Sequence, residues 1–174
     1  MSAREQDQVP GKKLVQGDEA KSLQTKLMTV VVFGTFDLFH YGHLRILQRA
    51  AKLGDRLIVG VSSDKFTYEK KQRYPMYSER DRRAIVQALK CVSHTFLEQS
   101  MEKKRDYLIE QDADILVMGS DWKGTFDHLK DIVKVVILPR TENISTTRTI
   151  DIIREQQIDV GPRKKKNRSK HGSM

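Results

Sequence analysis

The stretch Val31-Val32-Phe33-Gly34-Thr35-Phe36-Asp37-Leu38-Phe39-His40-Tyr41-Gly42-His43 constrains this chain more than any other. A short β-branched run halts at a glycine, and two histidines follow three residues apart where a helix should begin. A strand that turns directly into a helix leaves free backbone N–H groups at the helix start, and these form an anion site. Gly34 and Gly42 let the backbone come close to a ligand, and the spacing of His40 and His43 puts them on one helical face. The pattern predicts a strand–turn–helix that grips phosphate, and with it the transfer of a nucleotidyl group.

The rest of the chain supplies the scaffold such a turn needs. Between residue 28 and about residue 157, strand and helix patterns alternate. Strands are expected at 29–33, a short β-branched run fit for a buried parallel sheet, at 56–62, rich in Val and Ile, and at 92–97, 115–118 and 133–138. Helices are expected at 42–52 (Leu44, Leu47 and Ala51 inward, Gly54 as C-cap) and at 101–111. Another should open at Ser78 with Asp81 as its capping partner and Ile85, Ala88 and Leu89 inward, and a last one at Ser145 or Thr146. Residues 64–77 are charged and without period, which predicts a long surface loop. The fold class is therefore α/β, a single doubly wound domain with a five-stranded parallel sheet and helices on both faces. Ligands in such sheets collect beyond the carboxyl ends of the strands. Segments 34–43, 64–77, 119–122 and 140–147 all fall at that edge.

Charge separates the ends from this core. The chain of 174 residues carries a formal +9, of which residues 161–174 supply six through Arg163, Lys164, Lys165, Lys166, Arg168 and Lys170. The remaining +3 is ordinary for a small domain. Gly161-Pro162 breaks the preceding helical pattern, and the composition beyond it cannot build a core, so 161–174 is expected to be a basic disordered tail. Contact of that tail with nucleic acid or an anionic membrane is the alternative to a merely solvated end. Residues 1–27 are expected to be a flexible extension with a short helix near 20–26, leaving 28–160 as the catalytic domain. No apolar run has the length of a signal or a membrane span. The single cysteine, Cys91, sits beside Leu89 and Val92 and is expected to be a buried thiol, which suits a reducing cytoplasm.

Residues 34–43 resemble the GTFDxxHxGH motif of the cytidylyltransferase group, within the nucleotidyltransferase α/β-phosphodiesterase superfamily. Arg140-Thr141-Glu142-Asn143-Ile144-Ser145-Thr146-Thr147 resembles that group's second motif, RTEGISTT. With Gly119-Ser120-Asp121-Trp122 and the spacing between the three, the likeness is greatest to its glycerol-3-phosphate cytidylyltransferases, over about residues 29–157. Asn143 departs from the pattern, standing where the group has glycine; asparagine tolerates the left-handed conformation such a turn requires.

The resemblance implies a Rossmann-like domain that joins CTP to a small phosphorylated acceptor, with release of pyrophosphate. It implies Mg²⁺ carried with the CTP and no metal cage built by the protein, a homodimer, and a place in teichoic-acid or related polymer synthesis. By the same resemblance the catalytic residues are His40, His43, Lys70 and Arg140. Gly34, Thr35, Phe36, Gly119, Asp121, Thr141, Ser145 and Thr146 join His40, His43 and Arg140 around the nucleotide. Asp37, Lys70, Arg82, Lys90 and Trp122 are implied near the acceptor, with Lys71 or Arg73 as a second loop contact. Read without the resemblance, Asp37 is equally a helix cap, Ser145 and Thr146 are N-caps, and Trp122 is core packing. Other acceptors (phosphoethanolamine, phosphocholine), adenylyl transfer, or a non-catalytic module that delivers the basic tail remain open from the sequence.

Overall fold

The computed structural model describes residues 26–156. The expected helix near 20–26, all but its last residue, and the basic tail at 161–174 lie outside them. The strands are β1 (Thr29–Gly34), β2 (Arg56–Ser62), β3 (His94–Glu98), β4 (Ile115–Gly119) and β5 (Lys134–Leu138). The helices are α1 (Tyr41–Ala50), α2 (Asp64–Lys71), α3 (Glu79–Gln87), α4 (Lys104–Glu110) and α5 (Thr146–Gln156). The sheet order is β3-β2-β1-β4-β5, and every pairing is parallel. This is the predicted five-stranded α/β architecture.

Strand alternation divides the core into two layers. Val30 and Val32 face Leu47 and Ala50 of α1 and Val86 of α3. Val31 and Phe33, on the opposite side of β1, face Tyr107 and Leu108 of α4 together with Phe126 and Leu129. Because both faces are covered, β1 is buried along Thr29–Phe33 and can consist almost wholly of β-branched residues. The chain leaves β1 to build outward through β2 and β3, then returns to β1's other side with β4. Such a reversal opens a crevice at the carboxyl ends of β1 and β4. Among the described residues no helix is long and apolar enough to cross a membrane.

Three expectations need correction. Residues 64–71 of the supposed loop form α2. Their sequence has no amphipathic period because only Phe66 and Thr67 are buried, so the helix depends on its ends. Ser63 Oγ accepts from the Phe66 N–H at 3.1 Å. The Asp64 N–H donates to Glu79 Oε2 at 2.8 Å while the Glu79 N–H donates to Asp64 Oδ2 at 3.2 Å, so α2 and α3 cap each other. In α3 the inward positions are Arg82 and Val86, with Leu89 half-buried after them; Ile85 and Ala88 are exposed. The inward stripe begins on an arginine, which no count of apolar residues places inside. Gly54 is no left-handed cap, since its φ is −162°; it is glycine because a Cβ there would lie 2.6 Å from the Met28 carbonyl oxygen. Cys91 is half-buried and packs against the β1–α1 layer.

Candidate active site

The sequence dictates the shape of the turn after β1. Phe36 and Leu38 adopt left-handed backbone at φ 54° and 42°, folding the chain back so that the Phe36 ring lies against Gly34. A Cβ at Gly34 would stand 2.9 Å from that ring, and one at Gly42 would stand 2.9 Å from the His40 imidazole. Close approach, then, is what requires both glycines.

His40 precedes α1 as its N-cap, in extended conformation, so the two histidines do not share a helical face as predicted. They stack instead, ring centroids 3.8 Å apart and planes 19° from parallel. The Gly42 N–H donates to His40 Nδ1 at 3.1 Å, and the His40 N–H points at His43 Nδ1 at 3.4 Å. Each Nδ1 is thereby an acceptor, which leaves the proton of each neutral ring on Nε2. Burial, with help from His40 and Lys71, pulls His43 down to about 3. Burial and the Arg140 guanidinium lower His40 as well. The pair therefore presents neutral N–H donors at physiological pH.

A cleft of about 510 Å³ lies over the carboxyl ends of β1 and β4. It brings together Gly34, Thr35, Phe36, Asp37, His40, His43, Lys70, Gly119, Asp121, Trp122, Arg140, Thr141, Ser145 and Thr146 from the sequence-derived set. Segments a hundred residues apart are physically joined: Thr146 Oγ1, at the start of α5, donates to the Asp37 carbonyl at 2.9 Å. Ser145 Oγ accepts from the Arg148 N–H at 3.1 Å, so it caps α5 while lining the cleft. Asn143 has φ 61°, the left-handed turn its substitution for glycine had to accommodate. Arg140 is exposed and pairs with Asp121 at 3.1 Å. Trp122 both packs on Phe126 and borders the cleft.

The opposite wall is cationic. Lys70 sits over the Phe66 ring, 3.9 Å from its centroid, and Lys71 Nζ lies 3.5 Å from Thr35 Oγ1. Burial lowers the pKa of both lysines, with Lys71 further lowered by Lys70 and Arg73. Partly desolvated ammonium groups of this kind gain from an incoming anion. Asp37 is buried; its Oδ1 accepts from the Met76 N–H at 2.8 Å and its Oδ2 lies 3.9 Å from Arg73. Asp37 thus ties down residues 73–76, just after the helix that carries the lysines.

Two residues implied for the acceptor are not at the cleft. Arg82 is fully buried beneath it, donating to the carbonyls of Tyr77, Thr35 and Ser62 and to Asp64 Oδ1. Its donors are committed to holding the turn and α2 together. Lys90 is exposed just beyond α3 and does not line the cleft. Conversely, Ser62, Glu98, Met101 and Lys104 line it and were not anticipated. Glu98 carried a usable signal, an acid at the carboxyl end of a strand; Lys104 lies in the mixed-charge run 102–106 and carried none.

A family model described as cytidylyltransferase-like matches residues 31–155. The chain belongs to that family. Among relatives of this cytidylyltransferase, the glycerol-3-phosphate cytidylyltransferase of Bacillus subtilis is 44% identical over 119 residues, 68% of this chain and 92% of that protein. The Staphylococcus aureus enzyme of the same name is 41% identical, over 68% of this chain and 89% of that protein. An ethanolamine-phosphate cytidylyltransferase from Dictyostelium discoideum is 32% identical, but the match covers only 36% of it. Among solved structures, a lipopolysaccharide core biosynthesis protein from Thermoplasma volcanium superposes with a TM-score of 0.58 at 27% identity, over 68% of this chain and 100% of that one.

Proposed function

We propose that this cytidylyltransferase joins CTP to sn-glycerol 3-phosphate, forming CDP-glycerol and pyrophosphate. The observation that carries the reading is the single cleft in which the stacked histidines and the Arg140–Thr147 segment meet, tied by Thr146 to Asp37. Identity of 41–46% to glycerol-3-phosphate cytidylyltransferases supports the choice of nucleotide and acceptor.

A phosphate oxygen of the acceptor attacks the α-phosphorus of CTP. The new P–O bond forms as the α–β bridging bond breaks, and pyrophosphate leaves on the opposite side. No covalent enzyme intermediate is needed. Two polyanions have to meet, so the protein's work is orientation and stabilisation of charge on the crowded phosphorus. His40 and His43 donate Nε2–H to α-phosphate oxygens. Lys70, Lys71 and Arg140 surround the triphosphate, and the N-terminus of α5 adds its free N–H groups. The acidic groups at the cleft are each engaged by a cation, Asp37 and Asp121 by arginines and Glu98 by Lys104, so Mg²⁺ would arrive with CTP and not be held in a cage of these side chains. When bound, it neutralises part of the triphosphate charge.

The test is pyrophosphate release with CTP or ATP against glycerol 3-phosphate, phosphoethanolamine and phosphocholine. Turnover with CTP and glycerol 3-phosphate is expected to exceed every other pair. Turnover with ATP alone, or with an amino-alcohol phosphate in preference, overturns the proposal.

A further inference from the structure

Arg49 stands half-buried in the last turn of α1, where a basic side chain ordinarily answers the carbonyls of its own helix. Arg49 reaches further. Its Nη1 donates at 2.8 Å to the carbonyl of Pro139, 90 positions away and immediately before Arg140. Between the end of β5 at Leu138 and the cap of α5 at Ser145, residues 139–144 form neither helix nor strand, although they carry Arg140. Among the described residues, no backbone N–H of 140–144 donates within the protein, and two polar contacts reach this segment from elsewhere. One is Arg49 on the Pro139 carbonyl; the other is Asp121 on the exposed Arg140 side chain.

We propose that Arg49 is a positioning residue for the transfer step, setting through Pro139 where the Arg140 guanidinium stands relative to the two histidines. This role rests on the cytidylyl-transfer reading and adds to it a residue that does not line the cleft, whereas Pro139 and Arg140 do. A peptide unit is planar, so a bond to the Pro139 carbonyl also orients the N–H and Cα of Arg140. Proline has no N–H and a fixed φ, which leaves that carbonyl as the one hydrogen-bonding group through which its backbone can be held. The helix that holds it is the one that opens at His40 and His43. A helix of 10 residues is a rod about 15 Å long, so its two ends move together. One end presents the imidazoles and the other fixes the peptide that carries Arg140. Thr146 on the Asp37 carbonyl secures the far end of the same segment. Residues 139–146 are thus tied to the β1–α1 unit at both ends, as a triphosphate spanning the histidines and Arg140 requires. A lysine would serve the dipole of α1 equally well, so the dipole alone does not account for this contact.

Initial rates with the full chain test this role, with CTP and glycerol 3-phosphate varied separately, in the wild type and in an Arg140→Lys background. Arg49→Met keeps the apolar stem and deletes the donor. It is expected to lower kcat/KM for CTP about tenfold or more, while KM for the acceptor stays within about twofold. Arg49→Gln, which retains an N–H on a shorter stem, is expected to fall between Arg49→Met and wild type. In the Arg140→Lys background, Arg49→Met should cost about twofold or less, because no guanidinium is left to place. Thermal melting shows whether each variant is folded, and Arg49→Gln replaces Arg49→Met in both backgrounds if the latter is not. An equal loss in the two backgrounds, or an unchanged kcat/KM for CTP in the single variant, overturns the positioning role and leaves cytidylyl transfer standing. A wild-type chain with no cytidylyl transfer to any phosphorylated acceptor overturns the reading beneath it instead.

Discussion

His43 lies face to face with His40 at 3.8 Å, and each ring has its Nδ1 turned toward backbone N–H. A stack of two charged imidazoles would be repulsive, and burial already holds both below their ordinary range. The arrangement is stable because both rings are neutral, and neutrality fixes the remaining proton on Nε2.

His40 is also the N-cap of α1, so three variants separate capping from chemistry. By the proposed mechanism His43→Ala removes one transition-state donor, and it should lower kcat by about a hundredfold or more. His40→Asn keeps a good N-cap for α1 but has no Nε2–H, so kcat should fall similarly while the melting temperature stays near wild type. His40→Ala should lose both rate and about 1 kcal/mol of stability. Steady-state rates beside thermal melts check this; a His40→Asn enzyme with normal turnover would remove that ring from the chemistry.

Neutrality of His43 also sets a pH dependence. Its folded pKa of about 3 lies below the unfolded value, so between the two the unfolded chain holds more protons. Stability due to this group is complete above about pH 6.5 and declines as pH falls toward 3, by about 1.4 kcal/mol per unit for one proton. Urea unfolding at pH 6.5 and pH 5 should therefore differ by about 2 kcal/mol from this residue, a difference largely absent in His43→Asn. An equal acid sensitivity in that variant would place the titrating group elsewhere.

The strand end and the close-approach glycines of the turn at 34–43 could be read from sequence because their logic is local, but the cap could not: His40, and not Asp37, fills that place. Asn143 was legible for the same reason, since one residue's φ was at stake. What stayed hidden was chemistry between segments. Nothing near Arg82 in sequence reveals that Thr35, Ser62, Asp64 and Tyr77 converge on its guanidinium. The helix α2 was missed because reciprocal caps with α3, and not an apolar stripe, define it. Lys104 was missed because it meets Glu98, six residues earlier at the end of β3, only through the turn into α4, which no period in the charged run 102–106 signals.

The Arg82 network predicts a variant whose defect is in folding. Arg82→Met leaves buried carbonyls without donors and Asp64 without its cation, a loss of about 3–5 kcal/mol. Chemical denaturation should detect that loss. At a temperature where the variant remains folded, KM for CTP and for acceptor should stay within about threefold of wild type. A folded Arg82→Met protein with an acceptor KM raised tenfold or more would return this arginine to the substrate.

Thr146 offers the sharpest test of how the two motifs are held together. Its hydroxyl reaches the Asp37 carbonyl across 109 positions of sequence, at 2.9 Å. Thr146→Val keeps the shape of the side chain and deletes only the donor, leaving a part-buried carbonyl unpaired at a cost of about 1–3 kcal/mol. Because Ser145 still caps α5, the helix should persist while its docking onto the turn loosens. We expect KM for CTP to rise five- to tenfold, with faster amide exchange confined to the first turns of α5. Thr146→Ser, which restores the hydroxyl, should recover most of the affinity. If Thr146→Val binds CTP as tightly as wild type, the join between Asp37 and α5 does not shape the nucleotide site, and the two motifs act independently.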